Sequence, residues 1–184
     1  MTVLDAIRDR RTIRKFMQTP ITHDDLLDLV DAGRLAPSGA NLQPIKYKII
    51  EGADCAKVFP HTRWAGYLPD GAPKAGEEPT AYILILADTT IRKTGYEFDM
   101  GAAAENIQLA AWEKEIGCCW MGSIDREKIL DSFGIDKERY VMPTLLALGY
   151  PAQAAISENC TDSIKYYLDD AKVLHVPKRT DVLL

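Results

Sequence analysis

Arg10-Arg11-Thr12-Ile13-Arg14-Lys15-Phe16 crowds four cations around one hydroxyl, and the reading of this turn governs what lies on either side of it. Like charges at such spacing repel unless an anion sits among them. A phosphate monoester brings about −1.5 to −2 charges and three acceptor oxygens, which guanidinium forks match with paired hydrogen bonds. The Thr12 hydroxyl adds a further donor. Taken on charge alone, a solvated basic turn fits equally well. Upstream, Thr2 is placed to cap a helix running through Arg8, with Val3, Leu4 and Ile7 predicted to be buried on one face. Downstream, Thr22 followed by Asp24 and Asp25 marks a second helix start, with Leu26, Leu27, Leu29 and Val30 on its predicted buried side and Pro37 as its stop.

A second chemistry-bearing stretch follows at once, Ala36-Pro37-Ser38-Gly39-Ala40-Asn41-Leu42-Gln43-Pro44. Glycine lets backbone approach a flat ligand closely, and Asn41 and Gln43 offer donors and acceptors to polar ring edges. As bare turn chemistry it also reads as a loop that ends a helix. Tyr47–Ile50 is predicted as a strand and Ala53–Val58 as a helical turn or two. From Pro60 to Pro79 the composition turns to Gly, Pro and charge, which predicts a long surface excursion suited to a lid, with Trp64 and Tyr67 as candidate substrate contacts or ordinary packing aromatics. The nearly continuous apolar run Tyr82–Ala87 predicts a central strand covered on both faces. Phe98 to Ile116 carries the strongest helical pattern, stopped by Gly117. Strands are expected at Cys118–Met121 and Thr144–Tyr150, and a helix at Asp125–Phe133. Pro151 to Leu184 lacks periodicity yet keeps Ile156, Tyr166, Tyr167, Leu168, Val173, Leu174 and Val176, which need a surface to lie on. A partner subunit would supply one.

With 184 residues and 47% hydrophobic content, one domain spanning residues 1–184 is expected. A net charge of −5 makes nucleic acid an unlikely ligand class. The opening MTVLDAIRDRR lacks the unbroken apolar core of a secretion signal, and no apolar stretch approaches the roughly 20 residues that span lipid. A cytoplasmic protein without membrane attachment is therefore expected. Cys55, Cys118, Cys119 and Cys160 show no CxxC spacing, and adjacent Cys118 and Cys119 would face opposite sides of a strand. His23, His61 and His175 are scattered, so no metal site is expected.

The ordered combination of RRTIRKF (10–16), APSGANLQP (36–44), the Asp99–Asn106 helix segment, Gly122-Ser123 after a strand, Leu148–Pro151 and Pro177-Lys178-Arg179 resembles the nitroreductase-like FMN-dependent family over nearly the whole chain. The resemblance implies an α+β, three-layer fold. A mixed or antiparallel central sheet would be flanked by helices, with an extended C-terminal tail wrapping the partner of a homodimer. It implies FMN at the subunit interface. Arg10, Arg11, Thr12 and Arg14 would serve the phosphate and ribityl chain, Arg179 and Lys178 would close on the same phosphate, and Pro37, Ser38, Gly39 and Asn41 would lie against the ring from the other subunit. Gly122 and Ser123 would present backbone N–H groups to the flavin N5 edge, although the turn reads Trp-Met-Gly-Ser where the best-known members have Pro-x-Glu-Gly. Activity would be ping-pong reduction of nitroaromatics, quinones or related electrophiles by NADH or NADPH, with hydride passing through N5 and no catalytic acid or base. Reductive dehalogenation, flavin remodelling, or FMN binding without turnover are the alternatives on the same scaffold.

Overall fold

Every residue of the run Ala81–Asp88 is buried, as expected of a strand covered on both faces. A computed structural model describes residues 1–183. In chain order its first four strands are β1 (Ile45–Glu51), β2 (Ala81–Asp88), β3 (Gly117–Met121) and β4 (Tyr140–Gly149). They form one antiparallel sheet in the order β1-β2-β4-β3. Because side chains alternate along a strand, Ile83, Ile85, Leu146, Leu148 and Cys118 face one way, while Tyr82, Leu84, Leu145, Ala147, Cys119 and Met121 face the other. The first face is covered by α2 (His23–Arg34) and α3 (Glu97–Glu113). The second is covered by α4 (Arg126–Ser132) and the 3₁₀ turns over 52–61. That is the expected three-layer α+β arrangement, with adjacent Cys118 and Cys119 in different cores. Among the described residues, no helix is long and apolar enough to cross a membrane.

The first helix, α1 (Val3–Asp9), begins with a reciprocal capping box: Asp5 N–H donates to Thr2 Oγ1 at 3.2 Å and Thr2 N–H donates to Asp5 Oδ2 at 2.9 Å. Its apolar stripe is not buried in this chain. Val3, Leu4 and Ile7 are 70%, 59% and 51% exposed, and only Ala6 is covered. Leu27 of α2 is likewise exposed, while Leu26, Leu29 and Val30 pack toward the sheet. Helix α3 stops three residues before the expected end. Glu115 takes the left-handed conformation (φ 60°), and Ile116 N–H reaches back to Ala111 O at 2.8 Å, the bond pattern that terminates helices at a left-handed residue. Strand β4 starts four residues before the expected Thr144. Pro143 disguises it, at the register irregularity opposite Ile85 and Ala87.

Beyond Tyr150 the structure corrects the expectation that the segment is irregular. Strands β5 (Ala155–Asn159), β6 (Tyr167–Leu168) and β7 (Leu174–Lys178) make a second small sheet, ordered β5-β7-β6, with β5 and β7 parallel. It packs back on the basic turn of its own chain, where Ala152 N–H donates to Lys15 O at 2.9 Å.

Candidate functional site

The basic turn lies along the free edge of β3. Ile13 N–H donates to Cys118 O at 3.0 Å, and Phe16 N–H and Met17 N–H donate to Glu77 O and Tyr150 O. Ile13 and Phe16 plunge into the core opposite Gly117 and Gly149, where a Cβ would come within 2.9 and 2.8 Å of them. These apolar anchors fix the cations between them. Lys15 is matched by Glu77 at 3.1 Å. Arg10 donates to Gln108 Oε1 at 3.3 Å and lies 3.6 Å from Glu105, which itself accepts from Gln108 Nε2 at 2.8 Å. Arg11 donates to the carbonyls of Arg8 and Arg10 and to the Ser157 hydroxyl of β5. Arg14 lies over the Tyr166 ring, 4.5 Å from its centre.

Half of the crowded charge is thus neutralised within the chain, and the other half is not. Neither Arg11 nor Arg14 has a carboxylate within 4 Å among the described residues. The Nε–H groups of Arg10 and Arg11 are buried without any hydrogen-bond partner. Burial, then the neighbouring Arg10, push the Arg11 guanidinium below the usual arginine range.

The 36–44 loop is held at the opposite end of α3. Asp99, only 6% exposed, accepts from Ser38 Oγ at 2.6 Å and from Gly39 N–H at 3.1 Å, with Arg92 at 3.5 Å. Burial alone would raise this carboxyl, but Ser38, Gly39 and Arg92 outweigh it and hold it below the usual carboxylate range. Pro37, Gly39 and Asn41 are exposed. From Asp99 to Gln108 is nine residues, roughly 13 Å along a helix rising about 1.5 Å per residue. Within one chain, the loop and the basic turn are therefore anchored toward opposite ends of α3.

Gly122 and Ser123 follow β3 and line a shallow, open cavity of about 550 Å³ with Pro60, His61, Arg63 and Arg126. Gly122 O accepts from Arg126 at 2.9 Å and Ser123 O from Arg63 N–H at 3.0 Å, while neither Gly122 N–H nor Ser123 N–H has an acceptor among the described residues. Trp64 sits in the core layer: its indole N–H donates to Thr62 Oγ1 at 2.8 Å and its ring packs on Phe16 and Phe59, the arrangement of a packing residue. Tyr67 is exposed. Its ring lies 5.0 Å from that of Tyr166, in a depression of about 500 Å³ shared with Lys165 and Arg179. Lys178 ends β7, which pairs with the strand carrying Ser157, so the C-terminal cations return to the side of Arg11 and Arg14.

Three contributors escaped the sequence reading. Gln108 carried a signal, being a polar residue at a buried position between Ile107 and Ala111. Asp99 lay inside a quoted motif without a visible task, and Tyr166 carried no local signal.

The nitroreductase family model matches residues 7–150, which takes in the basic turn, the loop and the Gly122 turn. The chain belongs to the nitroreductase family. A provisionally named NADH dehydrogenase/NAD(P)H nitroreductase of Archaeoglobus fulgidus is 31% identical over 155 residues, covering 80% of this chain and 84% of that one. A provisionally named nitroreductase of Desulfovibrio desulfuricans, solved in complex with FMN, superposes with a TM-score of 0.71 at 30% identity, covering 83% and 88% of the two chains. A nitroreductase family protein of Clostridium novyi gives a TM-score of 0.69 at 26% identity, covering 82% and 87%. In this member of the nitroreductase family, the tail sheet with Tyr166, Lys178 and Arg179 lies outside the matched segment.

Proposed function

We propose that the protein is an FMN-dependent NAD(P)H oxidoreductase that reduces nitroaromatics, quinones or related electrophiles as a homodimer. The observation that carries this reading is the Arg11 guanidinium, whose Nε–H is buried without a hydrogen-bond partner and which has no carboxylate within 4 Å among the described residues. A buried donor left unmade costs about 1–3 kcal/mol, and a buried cation more, so the turn is suited to an anionic ligand. A terminal phosphate supplies both the charge and the acceptors. Arg14, Lys178 and Arg179 stand on the same side and complete its surroundings, with Thr12 adjacent. The FMN complex of the Desulfovibrio relative supports the choice of phosphate ester.

Bound FMN supplies the two-electron redox chemistry. The chain's own residues hold and orient it. Gly122 and Ser123 offer two free backbone N–H groups to a polar ring edge. Pro37, Ser38, Gly39 and Asn41 meet the ring from the second subunit. The exposed stripe of Val3, Leu4 and Ile7, grooved against Leu35 and Leu109, gives that subunit an apolar face to cover. Tyr67, backed by Tyr166, flanks the pocket for donor and acceptor, while Trp64 fixes the base of the 60–79 excursion. Donor and acceptor use this pocket in turn, so initial rates follow a ping-pong pattern. No side chain acts as catalytic acid or base.

The deciding experiment supplies FMN to the purified protein and then adds NADH or NADPH without oxygen. The expected result is a yellow protein whose visible absorption is bleached by the nucleotide and restored by a nitroarene. A protein that stays colourless overturns the reading. Bound FMN that resists both nucleotides marks a non-catalytic binder, and faster turnover of a halogenated phenol than of a nitroarene marks a dehalogenase.

A further inference from the structure

Three residues of the 36–44 loop, none of them glycine, adopt left-handed backbone: Ala40 (φ 51°), Asn41 (φ 54°) and Gln43 (φ 52°). Such conformations are disfavoured for L-residues and persist where surroundings over-determine them. Within the loop, Asn41 N–H donates to Ser38 O at 2.9 Å and Gln43 Nε2 to Asn41 Oδ1 at 3.0 Å, and the contacts that tie it to the rest of the chain centre on one side chain. Gln43 N–H donates to Ser38 Oγ at 2.9 Å, and the Ser38 hydroxyl in turn donates to Asp99 Oδ2 at 2.6 Å. Gly39 N–H donates to the other oxygen, Asp99 Oδ1, at 3.1 Å. Both ends of the strained segment are therefore tied to one carboxylate. Arg92, held by Thr94 O at 2.9 Å and beside Asp99 at 3.5 Å, packs so closely on Gly39 that a Cβ there would meet its guanidinium at 2.5 Å.

We propose that Asp99 is the positioning residue that sets the shape of the 38–43 loop, and through it the surface presented to the flavin ring in the partner's site. The proposal rests on the FMN reading above. Asp99 acts through Ser38 and Gly39, whose outward backbone is the part that a ring would meet. An alternative task for Asp99 exists, since it lies in the first turn of α3, where a carboxylate favours the helix. That role would stabilise α3 and leave the loop and the flavin unaffected.

The two are separated with the full-length dimer and the variants Asp99→Asn, Ser38→Ala and Ser38→Thr. Amide hydrogen exchange is read over residues 39–43 and over 103–111 in FMN-free protein, and FMN release is timed after loading. Asp99→Asn and Ser38→Ala should speed exchange at 39–43 by tenfold or more, leave 103–111 protected, and accelerate FMN release several-fold. Ser38→Thr, which keeps the hydroxyl, should restore both. Unchanged loop exchange in Asp99→Asn overturns the proposal, as does a loosened loop with unaltered FMN release. Should the unmodified protein never take up FMN, the functional reading fails, and the exchange comparison still judges the clamp.

Discussion

Residues 10–16 and residues 36–44 both lean on α3, the first through Arg10 on Gln108 and Glu105, the second through Ser38 and Gly39 on Asp99. The two are unfinished in different senses. In the loop the hydrogen bonds close on Asp99 and the strain sits in the backbone, so the segment is complete as a structure and offers a fixed outer surface. In the turn the backbone is unstrained and anchored by Ile13 and Phe16, but the buried Arg11 Nε–H has nothing to bind. A region with orphaned donors needs a ligand to satisfy it; a region with stored strain needs a ligand to explain it. The charge pattern in sequence suggested four free cations, whereas Glu77 and Glu105 remove two of them from the account.

The difference predicts unequal sensitivity to substitution. Arg11→Met keeps the buried volume and removes the unmatched cation, so FMN should bind about 10- to 100-fold more weakly, the range set by roughly 1.5–3 kcal/mol for a charged hydrogen bond. Arg14 is more exposed to Tyr166 than to its neighbours, and Arg14→Ala should weaken FMN several-fold only. Fluorescence titration of FMN against each variant measures both. Equal losses would erase the distinction between the arginine with an unpartnered buried Nε–H and the one stacked on Tyr166.

Substitutions in the loop should act on folding more than on the phosphate. Ala40→Gly relieves a left-handed residue costing about 1–2 kcal/mol and returns some of it as unfolded-chain entropy, for a net gain of about 0.5–1 kcal/mol. Thermal or urea unfolding should detect it as a small rise in stability. A loss would mean that the Ala40 methyl makes a contact worth more than its strain.

The parts of the molecule legible in sequence are those where a local pattern and a global requirement coincide. Tyr82–Ala87 reads as a central strand because both faces are covered. What stayed hidden depends on distance along the chain. Asp99 acts on a serine 61 positions away, and Trp64 finds its place through Phe16. The end of α3 hides behind a glutamate doing what glycine usually does, and the start of β4 behind Pro143. The tail strands are two to five residues long, too short to show a period, and β7 includes a proline, so pattern alone could not find them.

That tail offers the gentlest test, because it covers the turn without touching the loop. His175 on β7 lies 2.9 Å from Glu158 on β5 and 3.3 Å from Asp169, with the Tyr167 ring stacked on it at 4.7 Å and the Tyr167 hydroxyl donating to Glu158. Glu158 first, then Asp169, raise the imidazole above its ordinary value near 6.5, although partial burial opposes them. A group with a raised folded-state value contributes stability fully below about pH 6.5, and that contribution fades as pH rises through the raised value. The amides of β6 and β7 should therefore exchange modestly faster on the alkaline side, once intrinsic exchange is corrected for, while those of β2 stay unchanged. His175→Gln should flatten the difference. If the pH dependence survives that substitution, the network does not hold the tail sheet, and the cover over Arg11 must be fixed by packing instead.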